Sequence, residues 1–155
     1  STETSHRVAP TEAGQYLRLA VKASATGYLD AIGDSAAAVV TPGDIATGTP
    51  TISGAASFPG TLTAAAGSWT PADGLYTYTW WRASSSDGDY TPIATTGDAP
   101  ASSAYSLSSG DANSWLKVTV SEARSGYTTS DPVASTPVFV ANGTIAALST
   151  KAESL

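Results

Sequence analysis

Leu17-Arg18-Leu19-Ala20-Val21, followed by Gly27-Tyr28, returns at the same internal spacing as Leu116-Lys117-Val118-Thr119-Val120, followed by Gly126-Tyr127. The shift from 17 to 116 is 99 residues, and a period of roughly one hundred is the size of one β-sandwich rather than of a solenoid unit. The repeat therefore counts whole domains. Residues 1–43 read as the C-terminal half of one copy, 44–48 as a linker, 49–141 as a complete copy, and 142–155 as a tail or the start of a further copy. Gly143-Thr144-Ile145-Ala146 echoes Gly43-Asp44-Ile45-Ala46, so the sequence reads as a slice of a longer array.

Charged residues make up 13% of the 155, and short bursts of Val, Ile, Tyr and Trp sit among Ser, Thr, Ala and Gly, the make-up of short strands joined by small polar loops. With a net charge of −6 and only seven Lys and Arg, the chain lacks the basic face that nucleic acid requires, and an anionic partner is disfavoured. The absence of Cys excludes disulfides, thiol chemistry and Cys-based metal sites. No signal peptide, lipidation motif or long apolar run is found, so membrane insertion is not expected.

Gln15 to Ala23 alternates with the period of a half-buried strand and places Leu17, Leu19 and Val21 toward a core. Ala36 to Thr41 supplies a second strand, bounded by Pro42-Gly43. In the complete copy, strands are expected at Pro50–Gly54, Thr61–Ala64, Leu75–Arg82, Tyr90–Ala94, Ser103–Leu107, Trp115–Ala123 and Pro132–Val140. Leu75–Arg82 is the strongest, with Tyr76, Tyr78 and Trp80 on one face and Thr77, Thr79 and Trp81 on the other.

Before each repeated strand stands a turn pattern: Tyr105-x-Leu107, Asp111 and Asn113 in one copy, His6-x-Val8, Glu12 and Gly14 in the other. An acidic residue there accepts backbone N–H bonds and fixes the turn, while Gly and Asn are the residues that best tolerate positive φ. Taken with Leu62-Thr63, Gly67-x-Trp69, Tyr78-x-Trp80-x-Arg82 and Leu116-x-Val118-x-Val120, these spaced signals resemble the tandem bacterial immunoglobulin-like repeats of secreted and cell-surface proteins, which also occur in phage virion proteins. The resemblance implies an all-β, immunoglobulin-like antiparallel sandwich, one complete copy plus the C-terminal half of a preceding one. It implies Trp80 as the core Trp, resting on Leu62, Leu116 and Val118, with Tyr78, Val120, Tyr105 and Asp111 completing the structural set. It further implies a non-catalytic stalk, spacer or displayed module, extracellular or on a cell surface, with a virion decoration or fibre domain as a variant. Its partners would be neighbouring repeats or subunits, joined in one version by strand complementation.

Few residues offer chemistry of their own. Trp81, on the outer face, and Tyr90 are the candidate anchors of a carbohydrate-binding or adhesive surface, against a plain reading as strand packing. Asp87 and Asp89, with Asp98 or Asp73, offer oxygen ligands for Ca²⁺ but lack the graded spacing of a dedicated loop, and a solvated hairpin is the simpler account. His6 takes the place of Tyr105 rather than that of a base. No nucleophile–base motif, phosphate loop or zinc signature is present, so no enzyme activity and no cofactor is expected. Asn142-Gly143-Thr144 matches a glycosylation pattern and otherwise reads as a turn.

Overall fold

The computed structural model describes residues 5–145. Residues 50–141 build two antiparallel sheets face to face. One contains β5 (Thr51–Gly54), β6 (Thr61–Ala65) and β9 (Ser102–Ser106), in that order. In the other, β7 (Leu75–Ala83) lies between β8 (Thr91–Ala99) and β10 (Ser114–Ala123), while β11 (Val133–Ala134) and β12 (Val138–Val140) share the far edge of β10. The chain leaves one sheet after β8, enters the other as β9, and returns as β10. The expected last strand, Pro132–Val140, is thus two short pieces. Between them Val118 donates its N–H to the Ser135 hydroxyl, and Ser135 donates its own N–H to the Val118 carbonyl.

Alternation decides what goes inside. Leu62 and Ala64 of β6, Tyr76, Tyr78 and Trp80 of β7, and Leu116, Val118 and Val120 of β10 are all buried and form one cluster with Ala66, Trp69, Ala99, Leu107 and Val140. Each large aliphatic side chain taken fully out of water is worth about 1.5–3 kcal/mol, so this cluster is the main favourable term in the fold. β7 and β10 pair from Leu75↔Ala123 to Trp115↔Ala83, which sets Trp80 opposite Val118 and Trp81 opposite Lys117. Register shifts after Tyr76 and after Trp80 bend β8 along β7.

The backbone enters and leaves this sandwich at opposite poles. At one, Ala46 pairs with Thr70 and Gly48 lies against the Trp69 ring; at the other, Ala141 pairs with Ser57 and receives the Phe58 N–H.

Residues 5–43 hold a 3₁₀ turn at Pro10–Glu12 and four short strands, β1 (Tyr16–Leu17), β2 (Ala20–Ala23), β3 (Ala31–Asp34) and β4 (Ala38–Val39), paired β1 with β4 and β2 with β3. Their bonding follows that of β10 to β12, with β2 and β3 paired over four residues where β10 and β11 pair over two. Tyr16↔Val39 and Ala20↔Asp34 correspond to Trp115↔Phe139 and Thr119↔Ala134. Leu19 donates to the Ser35 hydroxyl and Ser35 to the Leu19 carbonyl, as Val118 and Ser135 do. Gly14 and Asn113 adopt the expected positive φ, 80° and 59°, and each donates its N–H to Val40 or Val140.

Two expectations do not hold within residues 5–43: the second strand, expected at Ala36–Thr41, is two pieces, β3 and β4, interrupted where Ser35 bonds Leu19, and the apolar face is not covered. Leu17, Leu19 and Val21 were to face a core, yet Leu19 and Val21 are 64% and 54% exposed while Val118 and Val120 are 0%. Residues 5–43 contain no counterpart of β5 to β9, so among the described residues nothing lies over the apolar face. The segment is attached to the sandwich through its end: Gly43 donates to the Gly126 carbonyl, accepts from the Thr128 N–H, and lies beneath the Tyr127 ring, where an added Cβ would come within 2.6 Å of it. Of residues 142–155, expected as a tail or the start of a further copy, 146–155 lie outside the described residues.

Candidate functional site

The outer face of β7 and β10 carries the sequence-predicted pair. Trp81 points away from the core, as its parity requires, and its indole N–H donates to the Thr119 hydroxyl at 2.9 Å. Tyr90, just ahead of β8, donates its hydroxyl to the Ser86 carbonyl at 3.0 Å, and the Lys117 ammonium stands 4.1 Å above its ring. Burial, with Asp87 beside it, pushes the Tyr90 hydroxyl above its ordinary range. Together with Gly88 and Asp89 these residues line an open groove of about 250 Å³. Lys117 and Thr119 were not singled out from sequence, although the alternation of β10 places both outward. What was missing was the cross-strand register, which sets Lys117 directly opposite Trp81. The groove offers one indole face, one aromatic ring already covered by a cation, and one carboxylate, a set suited to stacking and hydrogen bonding rather than to bond cleavage.

Asp87 and Asp89 lie exposed in the hairpin between β7 and β8, Asp73 and Asp98 adopt positive φ elsewhere, and among the described residues no three acidic, His or Cys side chains come together. His6 bonds the Glu12 carboxylate at 3.0 Å. Tyr105, half-buried, occupies the matching place with its hydroxyl 2.9 Å from Asp111.

Asp111 is the most heavily bonded side chain among the described residues. Its carboxylate is fully buried at the turn Ser109–Asp111 and accepts the Ser108 N–H at 2.8 Å, the Ser108 hydroxyl at 2.6 Å, the Tyr105 hydroxyl and the Arg82 guanidinium at 3.1 Å. Burial raises its pKa, but these donors outweigh burial and hold the carboxyl below its usual range. Trp80 stacks on Tyr105 at 5.3 Å, so the core Trp rests on a ring that Asp111 positions. In residues 5–43, Ala9 donates its N–H to Glu12 at 2.6 Å, and that bond, with His6, draws the Glu12 pKa down.

One buried group was not foreseen. Glu122, on the inward face of β10, is completely buried with neither carboxylate oxygen in a well-formed hydrogen bond, although the Gly74 backbone lies against it. Desolvation pushes its pKa up, with Asp73 adding to it and Arg124 and Gly74 opposing.

No family model, no curated protein and no solved structure matches the chain.

Proposed function

We propose that this chain is a non-catalytic structural or assembly module, a stalk, spacer or displayed domain of a bacterial extracellular surface or filament protein, built of immunoglobulin-like repeats. In this reading residues 49–141 are one complete copy and residues 1–43 the C-terminal half of another. The observation that carries it is the duplicated turn and hairpin, in which an acidic residue caps the turn and a serine hydroxyl completes the ladder at matching positions. Support also comes from the path of the backbone, which enters the complete copy at the Thr70 pole and leaves at the Phe58 pole, as modules strung end to end require.

The test is mechanical. Stretched by its ends in a single-molecule force experiment, the chain should unfold the complete copy in one step releasing about 300 Å of chain, the length of a single sandwich near 3.3–3.6 Å per residue. Gradual lengthening without a resolved step would sink the load-bearing spacer.

The groove of Trp81, Tyr90 and Lys117 favours a second reading, a carbohydrate-binding or adhesive module. A glycan array decides it: binding that disappears in Trp81→Ala with an unchanged fold supports adhesion, and a blank array leaves the groove as strand packing.

A further inference from the structure

The sheet face of residues 16–39 is the one large surface of the described chain for which the same chain also displays the covered form. On β10, the positions matching Leu17, Leu19 and Val21 are Leu116, Val118 and Val120, all 0% exposed. Two things cover them. β7 pairs along the edge of β10, and β6 with the inward side chains of β7 lies over the face. Among the described residues β1 and β2 have no strand on the corresponding edge, and an apolar groove of about 450 Å³ opens beside Val8, Leu17 and Leu19. An uncovered apolar face beside an unpaired edge is a template for strand addition.

We propose that this edge and face form a docking surface for the β5–β9 half of another copy of the same repeat. The inference rests on the repeat proposed above and names the occupant. Side-chain volume fits, since Leu17, Leu19, Val21 and Val8 stand where Leu116, Val118, Val120 and Leu107 meet that half. Charge fits as well. Asp111 takes the Arg82 guanidinium from the end of β7, and Glu12, which stands in its place, bonds exposed His6 and the Ala9 N–H and, among the described residues, no arginine or lysine. The arriving strand therefore runs antiparallel to β1 and β2, sets an indole opposite Leu19 as Trp80 is set opposite Val118, and brings a basic side chain to Glu12.

The test grafts the occupant onto residues 9–155, Leu107 of the added copy taking the place of Val8. A second copy of residues 44–107 is joined ahead of Ala9, at the junction that Leu107-Ser108 defines in the complete copy, and amide hydrogen exchange is read at residues 16–23. The expected result is protection at Arg18, Ala20 and Lys22 rising at least a hundredfold over the parent chain, with Leu19→Asp in the grafted chain abolishing it while β10 stays protected. Unchanged exchange at 16–23 in the grafted chain overturns the proposal. So does concentration-dependent dimerisation of the parent chain that Leu19→Asp abolishes, because the face is then covered by a second copy of the same hairpin. Neither outcome bears on the mechanical step of the complete copy, so failure here is distinguishable from failure of the spacer reading.

Discussion

Asp111→Ala removes four hydrogen bonds at once, three on Oδ2 and the Arg82 contact on Oδ1. At the roughly 0.5–1.5 kcal/mol net of an ordinary bond the four sum to about 2–6 kcal/mol; bonds to a charged group run higher, and the desolvation of the buried carboxylate offsets that excess. Ser108 is exposed and Arg82 and Tyr105 are half-buried, so all three regain water and the loss falls in the lower part, about 2–4 kcal/mol. That is a large share of the roughly 5–15 kcal/mol that holds a domain together. Urea unfolding followed by far-ultraviolet circular dichroism reads it: with a slope of about 1–2 kcal/mol per molar, the midpoint drops by about 1–4 M. Glu12→Ala, the matching change at an exposed turn, shifts the same transition by under about 0.5 kcal/mol. Asp111→Asn adds a pH signature. The folded pKa lies below the ordinary 3.8, so the carboxylate's contribution is present above that value and is lost as pH falls through the folded pKa. The Asn variant flattens this acid limb. A loss below about 1 kcal/mol in Asp111→Ala, or an equal loss in Glu12→Ala, would refute the idea that the turn is held by its buried carboxylate.

Two further outcomes are expected. Glu122 has a folded pKa above its ordinary 4.5, so the native state keeps a proton that the unfolded chain releases, and stability declines as pH rises from about 4.5 through the folded value, at up to 1.36 kcal/mol per pH unit. Glu122→Gln should remove that decline, and a stability–pH profile with the same slope in both proteins would show the buried carboxyl to be ionised. Gly43→Ala places a methyl group against the Tyr127 ring, so hydrogen exchange at the Thr128 amide should accelerate while the urea midpoint of the sandwich stays put; an unchanged exchange rate would mean that the contact is not held in solution.

The parts of the fold legible in sequence are those set by local period. The alternation of Leu75–Arg82 alone separates buried Tyr76, Tyr78 and Trp80 from half-buried Trp81, and the acidic residue before each repeated strand announces a turn. Three features were not legible, each because it depends on distant chain. The exposure of Leu19 and Val21 turns on whether a second layer lies over them, which no local pattern encodes. The burial of Glu122 follows from the parity of Leu116, Val118 and Val120, but a strand ending in Glu ordinarily reads as reaching solvent, and only the neighbouring Gly74 backbone closes it off. Lys117 and Thr119 joined the Trp81 groove through the β7–β10 register, which follows from strand pairing across more than thirty intervening residues.

The four tryptophans, 69, 80, 81 and 115, all fall within the two-sheet sandwich, and residues 5–43 carry Tyr16 and Tyr28 instead, 75% and 81% exposed. Intrinsic fluorescence is therefore divided along the chain. Emission excited at the red edge of the indole band comes from the sandwich alone and is silent about the hairpin, while tyrosine emission from the hairpin is separable in quenching experiments because its two rings stand in water. A change confined to residues 5–43 that reaches Tyr16 or Tyr28 would thus register in tyrosine emission and leave the tryptophan emission of the sandwich untouched.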